Sequence, residues 1–158
     1  LLGLKVEGPQ IAILVDTSAS MTNEKLIDII RTKSSSQQNK KNAAKWQRTK
    51  NVVEWLLART PENSDVVVVA FSEDAKVLGD KKGWQKASAS QTTASIISEL
   101  NAIVPEGATN LQKGLNTVNQ FSPTNLYVIT DGLPTKGESQ YRSLNPFSSC
   151  SSLTGNWP

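Results

Sequence analysis

The stretch Ile11-Ala-Ile-Leu-Val-Asp16-Thr-Ser18-Ala-Ser20-Met21 decides the fold. Its five consecutive apolar residues read as a strand buried on both faces, the environment at the centre of a parallel sheet. An acid follows, and then two hydroxyls at alternate positions. Asp16, Ser18 and Ser20 therefore leave the carboxyl end of a central strand, where open α/β sheets place their ligands. Three oxygen donors in so short a span, with no imidazole or thiolate nearby, suit a hard divalent cation such as Mg²⁺, Mn²⁺ or Ca²⁺. The same residues also have a plainer reading, because Ser, Thr and Asp after a strand commonly cap the next helix.

Working outward, strand and helix patterns alternate. Asn23 to Arg31 carries Leu26, Ile27, Ile29 and Ile30, enough for one short helix. The tract Thr32 to Asn42 has no apolar residue and reads as a surface loop. Ala43 to Ala58 repeats apolar residues at helical spacing, and Pro61 stops it. Asp65-Val-Val-Val-Val-Ala-Phe71 is a second buried strand, β-branched and uninterrupted. Ser72-Glu-Asp74 separates it from a short strand, Ala75 to Gly79, and the pair reads as a hairpin with an antiparallel edge arm. Asp80-Lys-Lys-Gly83 is a turn, and Trp84 suits either surface or core. Ile96, Ile97, Leu100 and Ile103 mark a helix over Thr92 to Val104, ended by Pro105. Leu111 to Phe121 is a further amphipathic helix, and Asn125 to Thr130 a third buried strand that runs into Asp131-Gly-Leu-Pro134. Residues 135–158 are loop-like and rich in Ser, Gly, Asn and Pro, and the chain has no internal repeat.

Composition narrows the chemistry. At 158 residues the chain holds one domain with one sizeable core. Seventeen Lys and Arg against fourteen Asp and Glu leave a net charge of +3, and no basic stripe interleaved with aromatics argues for nucleic acid. The basic stretch from Lys33 to Lys50 reads as solvated. There is no His, which removes Ser-His-Asp, Cys-His and His-zinc chemistry from this chain, and the single Cys150 cannot form an internal disulfide. No run approaches the length of a membrane span, so no membrane contact is expected from this chain. Leu1-Leu-Gly-Leu4 is too short for a signal peptide, and the sequence is expected to start inside a longer gene product.

Three segments together carry a family resemblance. Asp16-x-Ser18-x-Ser20-Met21, Gly107-Ala-Thr109-Asn-Leu111 and Ile129-Thr-Asp131-Gly132 resemble the von Willebrand factor type A domain with a complete metal-ion-dependent adhesion site. The resemblance runs from about Gln10 to Pro134. It implies a doubly wound, mostly parallel α/β sheet with helices on both faces, the first strand central and a short antiparallel strand at one edge. It also implies that Ser18, Ser20 and Thr109 are hydroxyl ligands of the cation, and that Asp16 and Asp131 ligate directly or through water. Singly, Thr109 would be an ordinary N-cap of the Leu111 helix and Asp131 an ordinary turn acid. Two departures stand out. The polar tract after Met21 is longer than the family's usual loop, and is read as decoration in preference to a shaper of partner choice. The strand–helix units that normally follow the Asp131 loop are absent.

Two function classes follow. The preferred one is a protein-binding module for adhesion or complex assembly, whose cation (Mg²⁺, or Mn²⁺ or Ca²⁺) takes an Asp or Glu carboxylate from a partner. The other is a metal-dependent phosphoryl-transfer or hydrolytic enzyme with Asp16 as nucleophile. That enzyme would want further acids where Ser18 and Ser20 stand, and Lys136 is the one nearby Lys to meet a phosphoryl group. Bacterial-looking loops and the family's habit of export favour an extracytoplasmic home. The expected strand order is Ala75–Gly79, Asp65–Phe71, Ile11–Val15, Asn125–Thr130. That order leaves Leu126-Tyr-Val-Ile129 as an open apolar edge, so at least one more strand, from beyond this chain's end or from a second chain, is expected to pair with it.

Overall fold

A computed structural model describes residues 5–22, 40–41 and 43–130. The expected helix over Asn23 to Arg31, the polar tract apart from Lys40 and Lys41, Asp131 with its turn, and residues 135–158 lie outside them.

The apolar run is the central strand. β1 (Gln10–Asp16) pairs parallel with β2 (Asp65–Phe71) on one side, Gln10 opposite Asp65 through Asp16 opposite Phe71. On its other side it pairs parallel with β5 (Asn125–Ile129), Ile11 opposite Asn125 through Val15 opposite Ile129. β3 (Ala75–Val77) is antiparallel to β2 and completes the order β3-β2-β1-β5, as expected. It stops short of the expected Gly79. That residue turns away with φ +97°, and its N–H goes to Glu99 instead of the sheet. A two-residue strand, β4 (Gln85–Lys86), was not anticipated; it pairs antiparallel with the start of β2.

Helices cover both faces. α1 (Ala44–Arg59) and α2 (Ser90–Ala102) lie on the face that carries Ile11, Ile13 and Val15, against which Trp46, Val53, Leu56, Ile96 and Leu100 pack. α3 (Leu111–Asn119) lies on the opposite face, with Leu111, Leu115 and Val118 against Ala12, Leu14, Val67, Val69 and Phe71. It approaches closely because of Gly114: a Cβ there would stand 2.9 Å from Phe71 Cγ and 3.0 Å from Leu14 Cδ1. Trp84 settles between surface and core, half-buried and edge-on to Phe121 with ring centroids 6.0 Å apart.

β5 differs from its neighbour. Its residues alternate between half-buried and exposed, with Leu126 and Val128 the exposed pair. Among the described residues it is paired only with β1. β2 and β5 flank β1 on opposite sides, and the carboxyl ends of strands at such a switch are where open α/β sheets place their ligands.

Candidate metal centre

Asp16 is the last residue of β1 and has no exposed surface. A buried carboxylate is costly unless its oxygens are occupied. Here Oδ1 accepts the Ser18 N–H at 2.8 Å, and Oδ2 accepts the Thr130 hydroxyl at 2.8 Å. The first bond folds the loop back on the strand end. The second joins β1 to Thr130, just past the end of β5.

Ser18 and Ser20 follow on a 3₁₀ turn, Ala19–Met21. Ser18 occupies that turn's N-cap position but makes no capping bond with its side chain. Its Oγ instead lies 3.0 Å from Ser20 Oγ and accepts the Thr109 hydroxyl at 2.7 Å. Thr109 does not cap α3 either. Asn110 does so, its side chain accepting the Lys113 N–H at 3.1 Å. The plainer readings of both loops are thereby replaced: neither hydroxyl is spent on a helix end, and residues 91 positions apart meet at a buried contact.

The backbone holds the two loops together. Ala19 N–H donates to the Gly107 carbonyl at 3.0 Å and Glu106 N–H to the Thr17 carbonyl at 3.1 Å. Thr17 N–H and hydroxyl both donate to the Phe71 carbonyl, at 2.8 and 3.0 Å, so the first loop is also anchored to β2. Gly107 is required at its position. Its φ of +82° is in the left-handed region, and a Cβ would come within 3.1 Å of Glu73 Oε2.

At 2.7 and 3.0 Å the three hydroxyls are at ordinary hydrogen-bond distances from one another. The donor set is hard and oxygen-only. Among the described residues no three His, Cys, Asp or Glu side chains converge, so any cation here would rely on the hydroxyls with one or two acids.

Of the five expected ligands, Asp16, Ser18, Ser20 and Thr109 are thus gathered at the carboxyl edge of β1, and Asp131 lies outside the described residues. Thr130 and Lys45 were not singled out from the sequence. Lys45, in the first turn of α1, donates to the Ser20 carbonyl at 3.2 Å. Its only signal was position, at the start of a helix.

Residues 11–133 match the von Willebrand factor type A domain, and the chain belongs to that family. None of the curated proteins is a detectable relative. Among solved structures, a von Willebrand factor type A protein from Catenulispora acidiphila is similar over 82% of this chain and 28% of its own, with 19% identity and a TM-score of 0.62. Proximal thread matrix protein 1 from the mussel byssus, in a form with a zinc-occupied metal-ion-dependent adhesion site, is similar over 89% of this chain and 35% of its own, at 17% identity and a TM-score of 0.53. The pilus adhesin SpaC from Lactobacillus rhamnosus GG is similar over 84% of this chain and 16% of its own, at 22% identity and a TM-score of 0.50. The chain therefore spans between 16% and 35% of the length of these structures, and the likeness is one of fold.

Proposed function

We propose that this domain is a divalent-cation-dependent protein-binding module, acting in adhesion or complex assembly. Ser18, Ser20 and Thr109 would hold the cation through hydroxyls, and Asp16 and Asp131 directly or through water. The observation that carries this reading is the Thr109–Ser18–Ser20 chain of hydroxyls at 2.7 and 3.0 Å, beside a buried Asp16. Neutral hydroxyls leave the cation's charge only partly offset. When bound, it supplies an electrophilic position for an oxygen from outside, and an Asp or Glu carboxylate of a partner suits it best. The oxygen-only donor set suits Mg²⁺, or Mn²⁺ or Ca²⁺. The zinc-occupied site of the mussel protein supports the idea that this fold takes a divalent ion, and the pilus adhesin supports an adhesive, extracytoplasmic role. No helix among the described residues is long and apolar enough to cross a membrane.

The enzyme reading has less support: a nucleophilic Asp16 would want further acids for the metal, and Ser18 and Ser20 stand in their place.

A melting experiment tests the proposal. A ligand that binds only the folded state stabilises it by about 2.7 kcal/mol at a hundredfold excess over Kd, which for a domain of this size is a rise of about 5–10 °C. Millimolar Mg²⁺ or Mn²⁺ should raise the wild-type Tm, and the rise should vanish in Asp131→Ala. An unmoved wild-type Tm would defeat the proposal. Metal-dependent hydrolysis of a phosphate ester, abolished by Asp16→Asn, would replace it with the enzyme.

A further inference from the structure

The β1–β5 pair is fastened at each end by a threonine, and the two fastenings are built differently. At the amino end Thr124, just before β5, clasps main chain: its N–H and its hydroxyl both donate to the Gln10 carbonyl at 2.9 Å, and the hydroxyl accepts the Gln10 N–H at 3.1 Å. At the carboxyl end the bond goes to a side chain. Thr130 Oγ1 donates to Asp16 Oδ2 at 2.8 Å.

The register marks the change. Toward β2 the ladder runs to the last residue of β1, Asp16 opposite Phe71, whereas toward β5 it stops one residue sooner, Val15 opposite Ile129. One step beyond, the Thr130 hydroxyl reaches across to the carboxylate. A carboxylate held at a single oxygen can still turn about its Cβ–Cγ bond, because that torsion has only broad minima. Asp16 is held at both. Oδ1 takes the Ser18 N–H from its own loop and Oδ2 takes Thr130 from the end of another strand, so the plane of the buried group is fixed. The kind of donor matters as well. A Lys or Arg in that place would offset the negative charge that a cation needs, whereas a hydroxyl orients the acid and leaves its charge.

We propose that Thr130 is a positioning residue of the candidate metal centre, holding the Asp16 carboxylate in the orientation in which it serves the cation, directly or through water. This rests on the metal-binding reading above. Carboxylates that ligate metals are themselves hydrogen-bonded, and losing such a partner costs about 10–100-fold in metal affinity. Thr124 spends its N–H and hydroxyl on main chain and so serves strand pairing.

The test sets the two threonines against each other in the full chain, with Mn²⁺ affinity read by electron paramagnetic resonance and Tm read in a chelator. Thr130→Val, which keeps the shape and removes the donor, should weaken Mn²⁺ by about tenfold or more. Thr130→Ser should restore the affinity, because it keeps the hydroxyl. Thr124→Val should lower the Tm and leave Mn²⁺ affinity as in wild type. Should Thr130→Val fail to fold, Thr130→Cys, whose thiol is a weaker donor, must show a smaller loss in the same direction. Wild-type Mn²⁺ affinity in Thr130→Val or in Thr130→Cys would make Thr130 a strand clasp like Thr124 and overturn the inference. Equal weakening by Thr124→Val and Thr130→Val would overturn it too, since the loss would then come from loosening β5. A wild type that binds no Mn²⁺ would instead defeat the metal-binding reading, and this inference with it.

Discussion

β1 and β5 are neighbours with much the same apolar content, yet they live in different surroundings. Leu14 and Val128 are register partners on the same face of the sheet. Leu14 is fully buried under α3, while Val128 is 38% exposed. Side-chain chemistry is nearly equal at the two positions, so coverage makes the difference. β1 has a strand on each side and helices on both faces. β5 packs Tyr127 and Ile129 on the core beneath α1, its alternate residues Leu126 and Val128 are exposed, and a groove of about 440 Å³ lined by Val52, Leu56 and residues 126–130 runs beside it. Stability and site geometry are therefore expected to reside in β1, with β5 contributing position more than energy.

The largest expected effect breaks the comparison at that matched pair. Leu14→Ala should cost about 2–5 kcal/mol, because it removes a core side chain and leaves a cavity. Val128→Ala should cost less than about 1 kcal/mol. Urea denaturation of both variants decides the matter, and equal losses would mean that β5 is covered as fully as β1. Next in size is Gly114→Ala. Helix propensity alone would favour Ala by about 1 kcal/mol, but the 2.9 Å approach to Phe71 Cγ forces α3 off the sheet. A net loss of about 1–2 kcal/mol is expected, and a gain would show that α3 sits more loosely than its contacts imply. A smaller effect is expected at Tyr127, whose hydroxyl accepts the Glu7 N–H and donates to the Lys5 carbonyl, tying the incoming chain to β5. Tyr127→Phe should cost about 0.5–1 kcal/mol and should speed hydrogen exchange at Glu7 without changing it at Leu14. Leu126→Ser should be smallest, within about 0.5 kcal/mol of wild type.

The same contrast explains what could be read beforehand. β1 and β2 were legible because an uninterrupted apolar run, β-branched in β2, has few other places to go, and the strand order followed from the family resemblance. Gly79 was counted with the strand from the sequence alone; Leu78 before it does bond back to Val68, and what ends β3 is a positive φ that composition alone does not announce. β4 was missed because two residues carry no period, and its pairing with β2 is imposed by the surrounding fold. At the site, the local spacing of Asp16, Ser18 and Ser20 suited a cation or a helix cap alike. Thr109 was not, since its hydroxyl looked like a helix cap until Asn110 proved to fill that place. Only the family resemblance joined it to Ser18 across the sequence. Lys45 was dismissed as part of a solvated basic stretch because a lysine's reach to a carbonyl twenty-five residues earlier leaves no trace in sequence pattern.

On the proposed function, the three hydroxyls form a divalent-cation site. Electron paramagnetic resonance of a Mn²⁺ titration reports it directly, since bound Mn²⁺ leaves the sharp spectrum of the free ion. The account predicts that one Mn²⁺ per chain is bound by the wild type, that Ser18→Ala weakens it at least tenfold because Ser18 Oγ stands between the other two hydroxyls, and that Val128→Ala leaves it unchanged. A wild type that binds no Mn²⁺ at millimolar concentration, or a Ser18→Ala variant that binds as tightly as wild type, would contradict it.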